Sequence, residues 1–296
     1  MINVSGLCNT HIFIRSHEKD FPWLTYALHS IERFCVGFTG VTVIVPDRDQ
    51  IQMRRAFSAD YKTKFYTYAT RADKYMLEGE LKLCHAEEII PSATDYVLLT
   101  DSDCIFKKPA TPQDYLIGGK PVLLGIPFTV MTNWNLDYAR ALCRAIETGN
   151  MEIWEHLQVQ NYIRNYPGQM FWWAGTKAAM GIEIEFEFMV RHPAIYPTWI
   201  FPLFRQAVEK HTGQRFDDYV LSCRDRFPQT FAELTSLGAY AYYNHRDEFH
   251  FLDTSLPESH TVRTDSGNLA LDDHLKQYWG GDPVEKHRPE IEGFLK

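Results

Sequence analysis

The chain reads as an α/β protein built on a doubly wound, mainly parallel sheet, and three observations predict this. Short β-like runs alternate with helical stretches through the first 125 residues, the pattern of consecutive βαβ units. At least four such runs occur, and the run 96–100 stops on Asp101, where open sheets of this kind place their ligands, beyond the carboxyl ends of the strands. The 296 residues are 45% hydrophobic and 23% charged, which suits an ordinary globular chain with a sizeable core.

The elements follow in order. A strand over 11–15 leads to a helix over 22–34 with Pro22 in its first turn, a position that tolerates the missing N–H. The β-branched run 41–45 is the second strand, 49–57 the next helix and 64–68 the third strand. A single long helix is expected over 73–90, with Met76, Leu77, Leu81, Leu83 and Cys84 mostly on one face. The fourth strand covers 96–100 and a further one 121–125. Near 126–135 the texture changes. Beyond it lie amphipathic stretches at 136–147 and 153–164, a dense aromatic turn over 171–175, and a helix over 198–211 ended by Gly213. The run 239–243 is short and apolar, and the tail from 255 is loop-rich. No internal repeat is found. One continuous domain is expected, with a binding half over 1–125 and a second half over 126–296.

Composition narrows the function classes. No stretch approaches ~20 apolar residues, so no membrane span is expected, and 1–14 lack the marks of a secretory signal, which makes the cytoplasm the expected compartment. The six cysteines include no C-x-x-C pair and read as reduced, mostly buried thiols. A formal charge of −8 repels polyanions on average. Nucleic acid is therefore not the default partner.

Two Asp-x-Asp pairs follow strands. At the end of an extended segment, the carboxylates of Asp101 and Asp103 project to the same side and suit Mg²⁺ or Mn²⁺. The other pair, Asp47 and Asp49, lies between Pro46 and a helical run, and an N-cap and first-turn role explains it. Asp101-Ser102-Asp103 runs instead into the apolar Cys104-Ile105-Phe106. A helix start explains it poorly.

The run 95–106, preceded by Gly79-Glu80-Leu81-Lys82-Leu83, resembles the metal-binding region of GT-A glycosyltransferases, in which a leucine-lysine-leucine helix precedes an apolar strand ending in the Asp-x-Asp pair. Segments 191–197 and 231–240 resemble a largely uncharacterised bacterial and phage branch of that superfamily. The resemblance runs from the first strand to about Tyr243. It implies a GT-A-type sheet with a helical, aromatic-rich acceptor region, and transfer of a sugar from a nucleotide-diphosphate donor, a UDP-sugar before others. It also implies Mn²⁺ or Mg²⁺ held by Asp101 and Asp103, with Arg15, Asp20, Lys82 and Asp101 near the nucleotide. Arg15 and Asp20 read equally well as surface charges. GT-A enzymes often add a C-terminal histidine to the metal shell, for which His245 is the best placed, although a lone histidine is more often a core or surface residue. Trp172, Trp173 and Gly175 resemble the turn that receives the acceptor; packing in the core is the commoner fate of such aromatics. The acceptor stays open among glycan, protein and modified base.

An inverting transferase needs a carboxylate base, whereas a retaining one leaves that task largely to the leaving phosphate, and the sequence does not decide between them. Glu233 is the first candidate, because its apolar, small-residue setting favours a raised pKa, and a first-turn acid of a helix is the alternative. Asp217, beside Asp218, is the second candidate. Three other readings stand beside this one. A haloacid-dehalogenase-like phosphatase would use Asp101 as nucleophile, but such enzymes carry the motif on their opening strand. A sugar nucleotidyltransferase would want a Gly-rich loop after the first strand, and Ser16-His17-Glu18-Lys19 is not one. A non-catalytic carbohydrate-binding protein would keep the fold without the chemistry.

Overall fold

The computed structural model describes residues 8–57, 63–71, 74–128, 172–190, 193–223, 231–270, 274–278 and 282–296. The helices expected over 136–147 and 153–164 lie outside them, as do the side chains of Trp172 and Trp173.

Strand β1 (Thr10–Arg15) is buried along almost its whole length, as a central strand covered on both faces must be. Helix α1 (Phe21–Phe34) follows, with Pro22 in its first turn. Strand β2 (Val41–Pro46), helix α2 (Gln50–Ala56) and strand β3 (Thr63–Tyr68) complete the first half of the winding. The long helix expected over 73–90 is two, α3 (Tyr75–Leu83) and α4 (Ala86–Ile89). The Arg205 guanidinium takes the Cys84 carbonyl at 2.6 Å, so a tertiary contact occupies the break. Strand β4 (Tyr96–Asp101) comes next, then β5 (Cys104–Phe106), β6 (Leu116–Ile117) and β7 (Lys120–Pro127).

The expected aromatic turn is instead the start of helix α5 (Trp172–Met180); one internal glycine costs a helix only about 1 kcal/mol. Strands β8 (Phe186–Glu187) and β9 (Ala194–Pro197) follow. Helix α6 (Ile200–Thr212) ends on Gly213 at φ 69°, the left-handed cap its sequence predicts. Helices α7 (Phe216–Ser222) and α8 (Glu233–Asn244), strands β10 (His250–Asp253) and β11 (Leu275–Gln277), and helix α9 (Arg288–Leu295) finish the chain. The apolar run 239–243 lies inside α8.

The main sheet has the order β3-β2-β1-β4-β9, parallel except for β9. Its period-2 alternation sorts the core into two layers. Ile12, Ile14, Val43, Val45 and Leu98 pack with α1 and α2 through Leu24, Leu28 and Met53. Phe13, Ile44, Val97 and Leu99 face α3, α6 and α8 on the other side. Helices on both faces of a mainly parallel sheet confirm the α/β, doubly wound class. A second sheet pairs β7 with β10, β6 and β8, and β11 pairs antiparallel with β5. No helix among the described residues is long and apolar enough to cross a membrane.

Candidate functional site

Sequence neighbours β1, β2 and β3 step in one direction across the sheet, and β4 returns to the other side of β1. A crevice opens outside the strand ends at such a reversal. The last residues of the two flanking strands are Arg15 and Asp101, paired in register. By alternation Arg15 shares a face with Phe13, and Asp101 with Val97 and Leu99, so both lie on the side of α3 and α8.

Helix α8 begins at Glu233, 4% exposed, and α3 carries the buried Glu80 to the same place. Arg15 Nη1 is 3.7 Å from Glu233 Oε1 and 3.9 Å from Glu80 Oε1. These are ion-pair distances, longer than hydrogen bonds, and Nη1 has no hydrogen-bond partner among the described residues. Burial works against the guanidinium charge, but Glu233, Asp101 and Glu80 together outweigh it and hold the Arg15 pKa above its ordinary value. Tyr68, at the end of β3, joins the cluster. Burial pushes its phenol up to about 12, opposed by the Arg15 charge.

The Asp101–Asp103 turn is fastened from two sides. Ser102 is buried and its hydroxyl donates to Asp20 Oδ2 at 3.3 Å, and His17 Nδ1 lies 2.8 Å from the same oxygen. From the other side the Tyr278 amide donates to the Asp103 carbonyl at 3.0 Å, extending the β11–β5 pairing. Both aspartates remain partly exposed. The second Asp-x-Asp pair sits in a 3-10 turn (Asp47–Asp49). Asp49 is buried and, instead of capping α2, accepts the Glu18 amide at 3.0 Å, while Asp47 accepts the Thr70 hydroxyl. That pair braces the loop after β1.

Among the described residues no group of three or more His, Cys, Asp or Glu side chains is arranged to hold a metal ion. Asp101 and Asp103 are hard oxygen ligands, the type taken by an ion that keeps waters and uses substrate phosphates as its remaining ligands.

The structure thus brings Arg15, Asp101 and Glu233 together and ties Asp20 to the Asp101–Asp103 turn through Ser102. It places His245 at the opposite end of α8, roughly 18 Å from Glu233 along the axis, between the rings of Trp199 and Tyr240. Asp217 is in the first turn of α7, 3.0 Å from His85 Nε2, one turn of chain beyond Glu80. Lys82 follows Glu80 by two positions, about 200° around α3, and faces elsewhere. Gly175 is buried in α5, whose Thr176 bonds Ser236 of α8 at 3.0 Å. Glu80 escaped the sequence reading because, between Glu78 and Lys82 on the same helix, it reads as one of several ordinary helix charges, although it lies within the segment quoted for its resemblance.

No family model matches this chain, and no curated protein does. Among solved structures, the 4-diphosphocytidyl-2C-methyl-D-erythritol synthase of Anaerococcus prevotii is similar at 11% identity and a TM-score of 0.28. The match covers 41% of this chain and 56% of that one, so this chain spans little more than half of its length.

Proposed function

We propose that this protein is a metal-dependent glycosyltransferase of GT-A type. It transfers a sugar from a nucleotide-diphosphate donor, a UDP-sugar first among them, to a hydroxyl acceptor. Residues 1–125 supply the donor half and 126–296 the acceptor half, with Trp172, Trp173 and Gly175 on the acceptor side. The observation that carries this reading is the pairing of Arg15 with Asp101 at the reversal of strand order, where the buried Nη1 has no hydrogen-bond partner among the described residues. A guanidinium nitrogen that is ion-paired but makes no hydrogen bond has a donor to offer a phosphate oxygen.

In this reading Asp101 and Asp103 hold Mn²⁺ or Mg²⁺, which neutralises charge on the diphosphate when bound. Arg15 binds the same diphosphate, and Asp20 keeps the turn in place through Ser102. Glu233 accepts the proton of the acceptor hydroxyl as its oxygen bonds to the anomeric carbon. The bond from that carbon to the diphosphate oxygen breaks, and the diphosphate leaves with the electron pair.

The test is Mn²⁺-dependent binding and hydrolysis of UDP-sugars. Asp103→Asn should weaken binding at least tenfold by removing a ligand charge, whereas Asp47→Asn, which loses only the contact with Thr70, should leave it nearly unchanged. Equal losses in the two variants, or no metal-dependent turnover of any nucleotide sugar, would reject the reading.

A further inference from the structure

Glu187 ends β8, where its backbone pairs with Ile126 near the end of β7. Its side chain is wholly buried. Oε1 accepts the Thr235 hydroxyl at 2.5 Å and the Met189 amide at 2.8 Å. Oε2 has no hydrogen-bond partner among the described residues. The two donors gather on Oε1, and the other oxygen meets none among the described residues that would stabilise a charge on it, an arrangement compatible with a neutral acid whose carbonyl is Oε1. The rings of Phe186, Phe188, Tyr242 and Phe251 meet at tilted and edge-on angles beside this strand, with the Arg246 guanidinium over Tyr242 and Phe251, and no ion pair to Glu187 occurs among the described residues. Burial raises the Glu187 pKa to about 7, opposed by the bonds from Thr235, Met189 and Phe188.

Thr235 stands two residues after Glu233 in the first turn of α8. Three contacts therefore hold that turn: Glu233 with Arg15, Thr235 with Glu187, and Ser236 with Thr176. We propose that Glu187 is a positioning residue: as a neutral acid it fixes the amino end of α8, and its ionisation loosens that end and displaces Glu233. A charge created in this apolar junction draws in water, and the turn that supplies its donor is the part of α8 that yields. The titratable groups on the packed elements are few. Tyr196 on β9 has a phenol raised by burial and then by the Glu187 charge. On α8 there are Glu233, Tyr240, whose hydroxyl meets His245, Tyr242, which lies under the Arg246 guanidinium, and Tyr243, whose hydroxyl accepts the Glu185 amide. Lys177 on α5 is paired with Glu183, and Lys120, at the far end of β7, bonds the Asp247 carbonyl. His250 and Asp253 lie on β10. None of these ion-pairs with Glu187.

The catalytic side of the proposal rests on reading Glu233 as the base, so the experiment has two readouts. In the full chain, hydrogen exchange of amides 233–236, corrected for intrinsic rate, is compared at pH 5.5 and 8.5 in wild type and Glu187→Gln. A carboxyl with a pKa of about 7 closed and an ordinary value of 4.5 when open makes opening roughly thirtyfold more favourable at the higher pH. The glutamine variant, neutral throughout, should show no such rise. Turnover of a UDP-sugar should fall above pH 7 in wild type and hold in the variant. Absent turnover in wild type would reject the proposed activity while the exchange comparison still decides the role of Glu187. Parallel exchange profiles in the two proteins would overturn it. If Glu187→Gln does not fold, Thr235→Val takes its place: exchange at pH 5.5 should then match the wild type at pH 8.5, and unchanged exchange would overturn the proposal.

Discussion

Arg15 carries one positive charge among Glu80, Asp101 and Glu233, and that imbalance shapes what each side chain does. Removing one acid leaves the arginine still compensated, so Glu233→Gln should keep the fold and donor binding while lowering turnover about 10²- to 10⁴-fold, the usual effect of losing a general base. If Glu233 served only as a first-turn acid, the same change would cost a few tenths to about 1 kcal/mol of stability and spare turnover. Kinetics and a melting curve on this variant separate the two. At this scale the sequence was informative where a residue closes a strand. Arg15 and Asp101 stood at the ends of apolar runs, and the strand geometry then placed them side by side. It was silent on Glu80 and Glu187, because a buried acid is defined by partners distant in the chain. His245, chosen because it follows the run 238–244, lies at the far end of α8 from Glu233, because that run is the last part of a helix that begins at Glu233.

Strands β1 to β4 were legible because their β-branched, aromatic and apolar runs, broken inside only by His11 and Lys64, have few other uses. Strand β9 was not, since Pro193 precedes it and Pro197 ends it and together they mimic a loop, yet it pairs with β4 as the edge strand of the sheet, where prolines are tolerated. The break between α3 and α4 was hidden for the opposite reason: the apolar face continues, and only Arg205, far along the chain, marks the interruption. Helix α3 also approaches β1 more closely than a side chain allows. A Cβ at Gly79 would lie 2.9 Å from Arg15 Cδ and 3.0 Å from the Tyr68 hydroxyl. Gly79→Ala gains up to about 1 kcal/mol of helix propensity, which offsets part of the crowding, typically about 1–3 kcal/mol. Stability should therefore change little, while donor affinity falls about tenfold as Arg15 is pushed aside. Calorimetric titration beside a melting curve checks this, and unchanged affinity would mean Arg15 does not touch the donor.

The fold class was readable from alternation alone, but the order of the strands was not, because the register of parallel neighbours is settled by packing across the whole sheet. The whole molecule also sets the pH response. His11, buried between the hydroxyls of Thr39 and Thr42, has its pKa lowered to about 4 by burial and then by Lys64. Its contribution is full above pH 6.5 and is lost as pH falls through 4. The raised Glu187 contributes in the opposite sense, fully below pH 4.5 and lost as pH rises through 7. Between about pH 5 and 6 the two slopes cancel, each at most about 1.4 kcal/mol per pH unit. Melting temperature should therefore be nearly level there in wild type, rise with pH in Glu187→Gln and fall with pH in His11→Gln. Matching slopes in both variants would contradict the assignment. The pairing of β11 with β5 reaches further still, into how the chain is made. The Asp101–Asp103 turn is synthesised early, but the amide that fastens the Asp103 carbonyl belongs to Tyr278. Contacts so distant in sequence form slowly. During translation the first four strands are free to assemble while this turn stays half-secured, so the nascent protein would pass through a stage that has its sheet but not yet its finished carboxylate pair.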